Sequence, residues 1–159
     1  MINLERLLWT KNVRPSNVTW AYMEYGVGQL FKLGWKDKQD NADYFNADRP
    51  VRNDLILLRQ HGYVSHLVKV LNRQPEYEDF KGNPIIYRIV EIVWKIDSIE
   101  SPSENYKADK VFDFPEVLKF MGGNTMKLEE LPTFKEAWNH RGGISAFQSH
   151  IQSQLQLVA

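Results

Sequence analysis

Imidazole is the side chain most able to act as acid, base or metal ligand at neutral pH, and the chain has four of them: His61, His66, His140 and His150. No two stand at the spacing that places a metal pair on one helix, and H-E-x-x-H is absent. G-x-S-x-G, a phosphate loop ending in Gly-Lys-Ser/Thr and a complete G-x-G-x-x-G are also missing; Gly26-Val27-Gly28 is a fragment only. With no cysteine, a thiolate zinc site, a cysteine nucleophile and a disulfide framework are all excluded. Asp54, Glu91 and Lys95 come nearest to the acids and lysine of a metal-dependent nuclease, but Glu91 and Lys95 are four apart rather than two. The residues therefore point to recognition rather than catalysis and call for no metal or cofactor. A small hydrolase or nuclease with an unorthodox site is the alternative.

Recognition chemistry is better represented. Five Trp, seven Tyr and eight Phe make up 13% of the residues. Between Asp48 and Arg73 five basic residues (Arg49, Arg52, Arg59, Lys69, Arg73) face two acids, whereas the stretch from Asp97 to Glu116 is acidic. Stacking a base on an aromatic ring contributes about 1–3 kcal/mol, and an extruded base also needs polar groups for its edge. On this reading Trp20, Tyr22 and Trp35 stack on a base. Ser65 or His66, helped by Asn17 and Thr19, reads its edge, and Arg52 and Arg59 hold phosphate. Arg141 precedes Gly142-Gly143 at the start of a helical pattern, where backbone N–H groups favour an anion. Each assignment has a plainer counterpart: core packing for the rings, a satisfied strand position for His66, solvated faces for the charges.

Twenty basic and twenty acidic residues give a formal charge of zero. Non-specific coating of DNA or RNA draws most of its affinity from phosphate neutralisation, so the charge balance leaves room for a local nucleic-acid site only. The N-terminus lacks the pattern of a secretory signal, and no apolar run approaches the roughly 20 residues that span a bilayer. A single domain over residues 1–159, without a membrane and in the cytoplasm, is the expectation.

The elements that must position these residues are clearest in the middle of the chain. Leu55-Ile56-Leu57-Leu58 and Tyr63 to Leu71 read as two strands of a hairpin turning at His61-Gly62. Arg73 to Pro84 reads as a polar turn and Ile85 to Ile96 as a central strand covered on both faces. Asp113/Glu116, Thr133/Glu136 and Ser145/Gln148 have capping-box spacing and predict C-terminal helices. In the last of these, Ile144, Phe147, Ile151, Leu155 and Val158 form one apolar stripe, which covers the chain's own sheet or docks on a partner or a second copy. The docking version makes the chain an accessory subunit or homo-oligomer. Lys36 to Asn46 reads as a surface loop. Val18, Trp20 and Tyr22 alternate like a strand, while Ser16 or Asn17 equally caps a helix.

The stretch Arg52-Asn53-Asp54-Leu55-Ile56-Leu57-Leu58, followed by Gly62-Tyr63-Val64-Ser65-His66-Leu67-Val68-Lys69-Val70, resembles part of the PUA-like superfamily in its EVE branch. There an Asp followed by apolar residues leads through a turn into a strand with a Val-x-Val pattern. The resemblance covers about a quarter of the chain. It implies a small pseudobarrel with flanking helices that binds RNA or holds a modified, flipped base in an aromatic pocket. The start departs from the pattern, unless Trp20 takes the place of its early lysine or tryptophan, and the extension after Asp97 is longer. The expected fold is thus α+β: a strongly curved mixed sheet or PUA-like pseudobarrel with C-terminal helices.

Overall fold

The structure is a computed structural model that describes residues 2–13, 19–36, 41–80, 82–114 and 123–158. A strand whose successive residues are all apolar needs cover on both faces. β3 (Leu55–Gln60) has it, with all six residues buried. Leu55 and Leu57 enter one core, Ile56 and Leu58 the other. Its hairpin partner β4 (Tyr63–Val70) returns through His61 and Gly62, whose φ angles are 53° and 81°. Two consecutive positive-φ residues match the twist of a two-residue hairpin, as the sequence predicts.

Around this hairpin stand β1 (Leu7–Asn12), β2 (Leu30–Lys36), β5 (Glu76–Phe80), β6 (Asn83–Lys95) and β7 (Thr125–Lys127). The seven strands form one strongly curled sheet, a half-barrel, in the order β2-β6-β4-β3-β1-β7 with β5 also paired to β6. β1 and β3 run parallel, and the other ladders are antiparallel. Trp9, Phe31, Leu33, Trp35, Ile56, Leu58, Val68 and Val90 fill one core of the curled sheet. The other is capped by α2 (Ala108–Phe112), α3 (Pro132–Trp138) and α4 (Gly143–Gln154), which bring Phe112, Phe134, Trp138 and Phe147 together. The α+β class and the C-terminal helices agree with the sequence reading.

Several local expectations change. Of the expected loop from Lys36 to Asn46, Lys36 ends β2, residues 37–40 lie outside the described ones, and Asn41 to Asn46 belong to α1 (Asn41–Asp48), a short helix that buries Asp43 and Ala47. The expected turn from Arg73 to Pro84 contains β5, whose Glu76, Tyr77, Glu78 and Asp79 are all exposed. Four consecutive exposed residues show no apolar alternation. Neither Thr133 nor Ser145 caps its helix: α3 starts one residue earlier, at Pro132, and α4 is entered through Gly142 at φ 112°. Gln148 instead donates to the carbonyls of Glu5 (3.3 Å) and Leu7 (3.1 Å), pinning α4 to the start of β1. Asp113 closes α2 in the left-handed region. Glu116 and the rest of that predicted helix, like Ser16, Asn17 and Val18, lie outside the described residues. Phe147, Ile151 and Leu155 of the α4 stripe are buried in the chain's own core, and Val158 is exposed.

Candidate functional site

Strand alternation splits β2 into two rows. Phe31, Leu33 and Trp35 are buried, whereas Leu30 and Lys32 are exposed and Gly34 has no side chain. β2 is also the last strand of the sheet. In its antiparallel register with β6, the backbone groups of Lys32 and Gly34 face away from the partner strand. Gly34 N–H donates to the Tyr22 hydroxyl across 3.2 Å.

The segment before β2 folds back over this edge because polar groups from the sheet hold it there. Gln60, fully buried on β3, accepts from Ala21 N–H (2.7 Å) and donates to the Ala21 carbonyl (3.1 Å). It also donates to Ser65 Oγ (2.9 Å). The Ser65 hydroxyl lies 2.8 Å from His66 Nδ1, and His66 Nε2 lies 3.2 Å from the Tyr22 carbonyl. A carbonyl only accepts, so the ring carries its proton on Nε2 and the chain of bonds runs Gln60 to Ser65 to His66 to Tyr22. Lys95 donates to the carbonyls of Met23 (3.0 Å) and Tyr25 (2.9 Å). Tyr22 sits at φ 66°, a left-handed conformation that bulky residues adopt only where their surroundings impose it.

Held this way, Tyr22 stacks on Phe31 at 4.3 Å and Tyr25 stacks on the same ring at 5.4 Å. The rings open onto a groove of about 650 Å³ lined by Tyr22, Tyr25, Phe31 and, from β6, Ile85 and Tyr87. Among the described residues its charged groups are Glu24, Glu78 and Lys32. Lys32 Nζ lies 2.9 Å from Glu78 Oε1 and 4.9 Å from the centre of the Tyr87 ring. A Cβ at Gly34 would come within 3.1 Å of Ile85 Cγ2, so any larger side chain there must displace its neighbour or enter the groove.

Of the predicted residues that the structure describes, only Tyr22 lines this groove. Trp20 packs half-buried against His61 (4.9 Å) and Tyr63 (6.0 Å), and His61 bonds the Thr19 carbonyl. Trp35 is 3% exposed and belongs to the core. Ser65 and His66 are fully buried; in place of an open base edge they read the backbone of the Tyr22 segment. Arg59, expected to hold phosphate at the surface, is 3% exposed and donates through Nε to Thr10 Oγ1 at 2.9 Å. Arg52 is exposed, and its carbonyl accepts from Arg6. Arg141 pairs with Asp113 at 2.9 Å and lies 3.7 Å over Trp138. The three arginines serve different parts of the molecule and do not converge. Asp54, Glu91 and Lys95 are also separately engaged. Asp54 is held by Trp9 Nε1–H, Val51 N–H and Arg6, and Glu91 faces Lys69. Among the described residues no three His, Asp or Glu are grouped as metal ligands, and no helix is long and apolar enough to cross a membrane.

Burial has consequences for His66. It pulls the imidazole down to about 4; the Tyr22 carbonyl favours the charged form and Lys95 disfavours it. Unfolded histidine titrates near 6.5. Between those values the unfolded chain binds a proton that the folded chain refuses, so stability falls as pH drops from 6.5 towards 4. The expected loss by pH 4 is about 3 kcal/mol. Urea unfolding of the protein and of His66→Gln at pH 7 and pH 4 measures it, because the variant lacks this part of the acid dependence.

A second polar cluster lies inside the half-barrel. Lys11 on β1 is 4% exposed; its ammonium bonds the Gly123 carbonyl and sits 4.6 Å over the Trp35 ring. Arg59 on the parallel neighbour β3 and Asp43 on α1 are buried too. Burial pulls Lys11 down to about 7, with Asp43 opposing the shift and Arg59 reinforcing it. Arg59 itself is lowered to about 10 by burial.

Comparison with protein-family models, curated proteins and solved structures finds no match to this chain.

Proposed function

We propose that this chain is a non-enzymatic recognition domain of PUA-like type, which captures a single nucleobase, extruded from its strand, in the aromatic groove at the edge of β2. The observation that carries the reading is the convergence of Tyr22, Tyr25, Phe31 and Tyr87 on one open groove of about 650 Å³. That volume is in the range of small-molecule sites, which are mostly apolar with a few polar groups to fix orientation. The outward backbone N–H and C=O of Lys32 offer a donor beside an acceptor, the pattern a base edge requires. Tyr22 and Tyr25 are anchored before any ligand arrives, so binding does not have to order them.

The groove lends little to phosphate. Its one ammonium among the described residues, Lys32, is already paired with Glu78. Affinity for single-stranded oligonucleotides is therefore expected to depend weakly on salt, with log K falling against log salt by about 1 or less, the slope of a single phosphate contact. Tyr87→Ala should weaken binding about tenfold or more, the value of one lost stack, and Gly34→Leu should block it by filling the groove. Fluorescence titration of the chain and both variants, at two salt concentrations, reads all three effects. No binding to any oligonucleotide, or a steep salt slope indifferent to Tyr87→Ala, would falsify the reading.

A further inference from the structure

We infer that the base this groove selects carries a positive charge: an N-alkylated nucleobase with a formal cation in its ring. The inference rests on the reading of the groove as a base site and adds the chemical class of the base. Among the described residues, two carboxylates, Glu24 and Glu78, line the groove against one ammonium, Lys32. The Lys32 ammonium already shows where a cation sits: 4.9 Å over the Tyr87 ring with Glu78 at 2.9 Å. A ring face is the negative part of an aromatic quadrupole, so it attracts a cation and a carboxylate beside it adds to the attraction.

Lys32 is a replaceable occupant of that seat. Its side chain is 52% exposed on the outer row of β2, and that of Glu78 is 42% exposed. An ion pair so open to water contributes little to stability, and the lysine stem can turn outward without disturbing the core. Tyr87 and Glu78 then meet an incoming ring directly, with Glu24 as a second acid on the lining. A neutral base gains only the stack. A cationic one gains the stack together with the quadrupole and the two carboxylates, while an anionic one is repelled.

Two isomers separate charge from size. 1-Methyladenosine is a cation at neutral pH and N6-methyladenosine is neutral, although both carry the same added methyl group. The chain is expected to bind the first about tenfold more tightly, a cation–π contribution at a partly desolvated site. Lys32→Met vacates the seat and should widen the ratio severalfold. Adding Glu78→Gln to Lys32→Met should narrow it again. Both positions are exposed enough for the variants to fold, which the thermal unfolding midpoint verifies. Equal binding of the two isomers by the protein and by Lys32→Met overturns the charge preference and leaves the base site standing. Binding of neither isomer overturns both.

Discussion

Raising the pH from 7 to 10 is expected to stabilise the folded chain by about 3 kcal/mol. The origin is Lys11, whose ammonium burial pulls down to about 7 while an unfolded lysine titrates near 10.4. Below pH 7 both states hold the proton and the folded state bears the full cost of the buried charge. Between 7 and about 10 the unfolded chain keeps a proton that the folded chain has released, so stability climbs with pH. Above about 10 the trend reverses in part, because burial raises the Tyr22 phenol and an unfolded tyrosine ionises first. Urea midpoints at pH 7 and 10 measure the rise. In Lys11→Met the rise between those values should largely vanish, since methionine fills a similar volume without a charge. A flat profile in the parent chain would mean that Lys11 is solvated.

Arg88 carries the second large effect. It is a fully buried cation on β6, with its guanidinium spent on backbone: Nη1 donates to the carbonyls of Ala47 (2.8 Å) and Pro50 (2.6 Å). Nη2 donates to the Asn72 carbonyl (2.8 Å) and Nε to Asn72 Oδ1 (3.0 Å). One side chain thus ties the end of α1 and the turn after β4 to the central strand. Arg88→Met keeps most of the volume and removes every donor, leaving acceptors without partners in the interior. The expected cost is about 3–5 kcal/mol, read from the denaturant midpoint at constant m-value. A loss under about 1 kcal/mol would show that water replaces the guanidinium at those carbonyls.

These two residues mark the border of what the sequence discloses. The β3–β4 hairpin was legible because burial on both faces leaves an unbroken apolar run and because His61-Gly62 supplies the turn. The α4 stripe was legible for the corresponding helical reason. Lys11, Arg59 and Arg88 were not, since a charged residue within a strand ordinarily marks a solvent-facing position, and the groups that enclose these three come from distant parts of the chain. β5 left no trace because it is held by pairing with β6 while Glu76, Tyr77, Glu78 and Asp79 are exposed. The groove was half legible. Tyr22 stood out as an aromatic near polar residues, but Tyr25, Phe31 and Tyr87 meet it only through the fold of 19–29 across β2. Trp35 was drawn to the site by its ring and belongs to the core by its parity on β2, two residues beyond Leu33. Ser65 and His66 were expected to read a base edge; instead Ser65 bonds His66, and His66 bonds the Tyr22 carbonyl.

Most direct as a check on the whole account is the set of intermolecular NOEs between a bound methylated adenosine and the aromatic protons of the folded chain. Contacts from the purine H2 and H8 to the rings of Tyr25 and Tyr87 are predicted, with Trp20 and Tyr63 silent. Contacts confined to Trp20, His61 and Tyr63, or to Trp94 and Tyr106, would place the ligand elsewhere and remove the groove from its function.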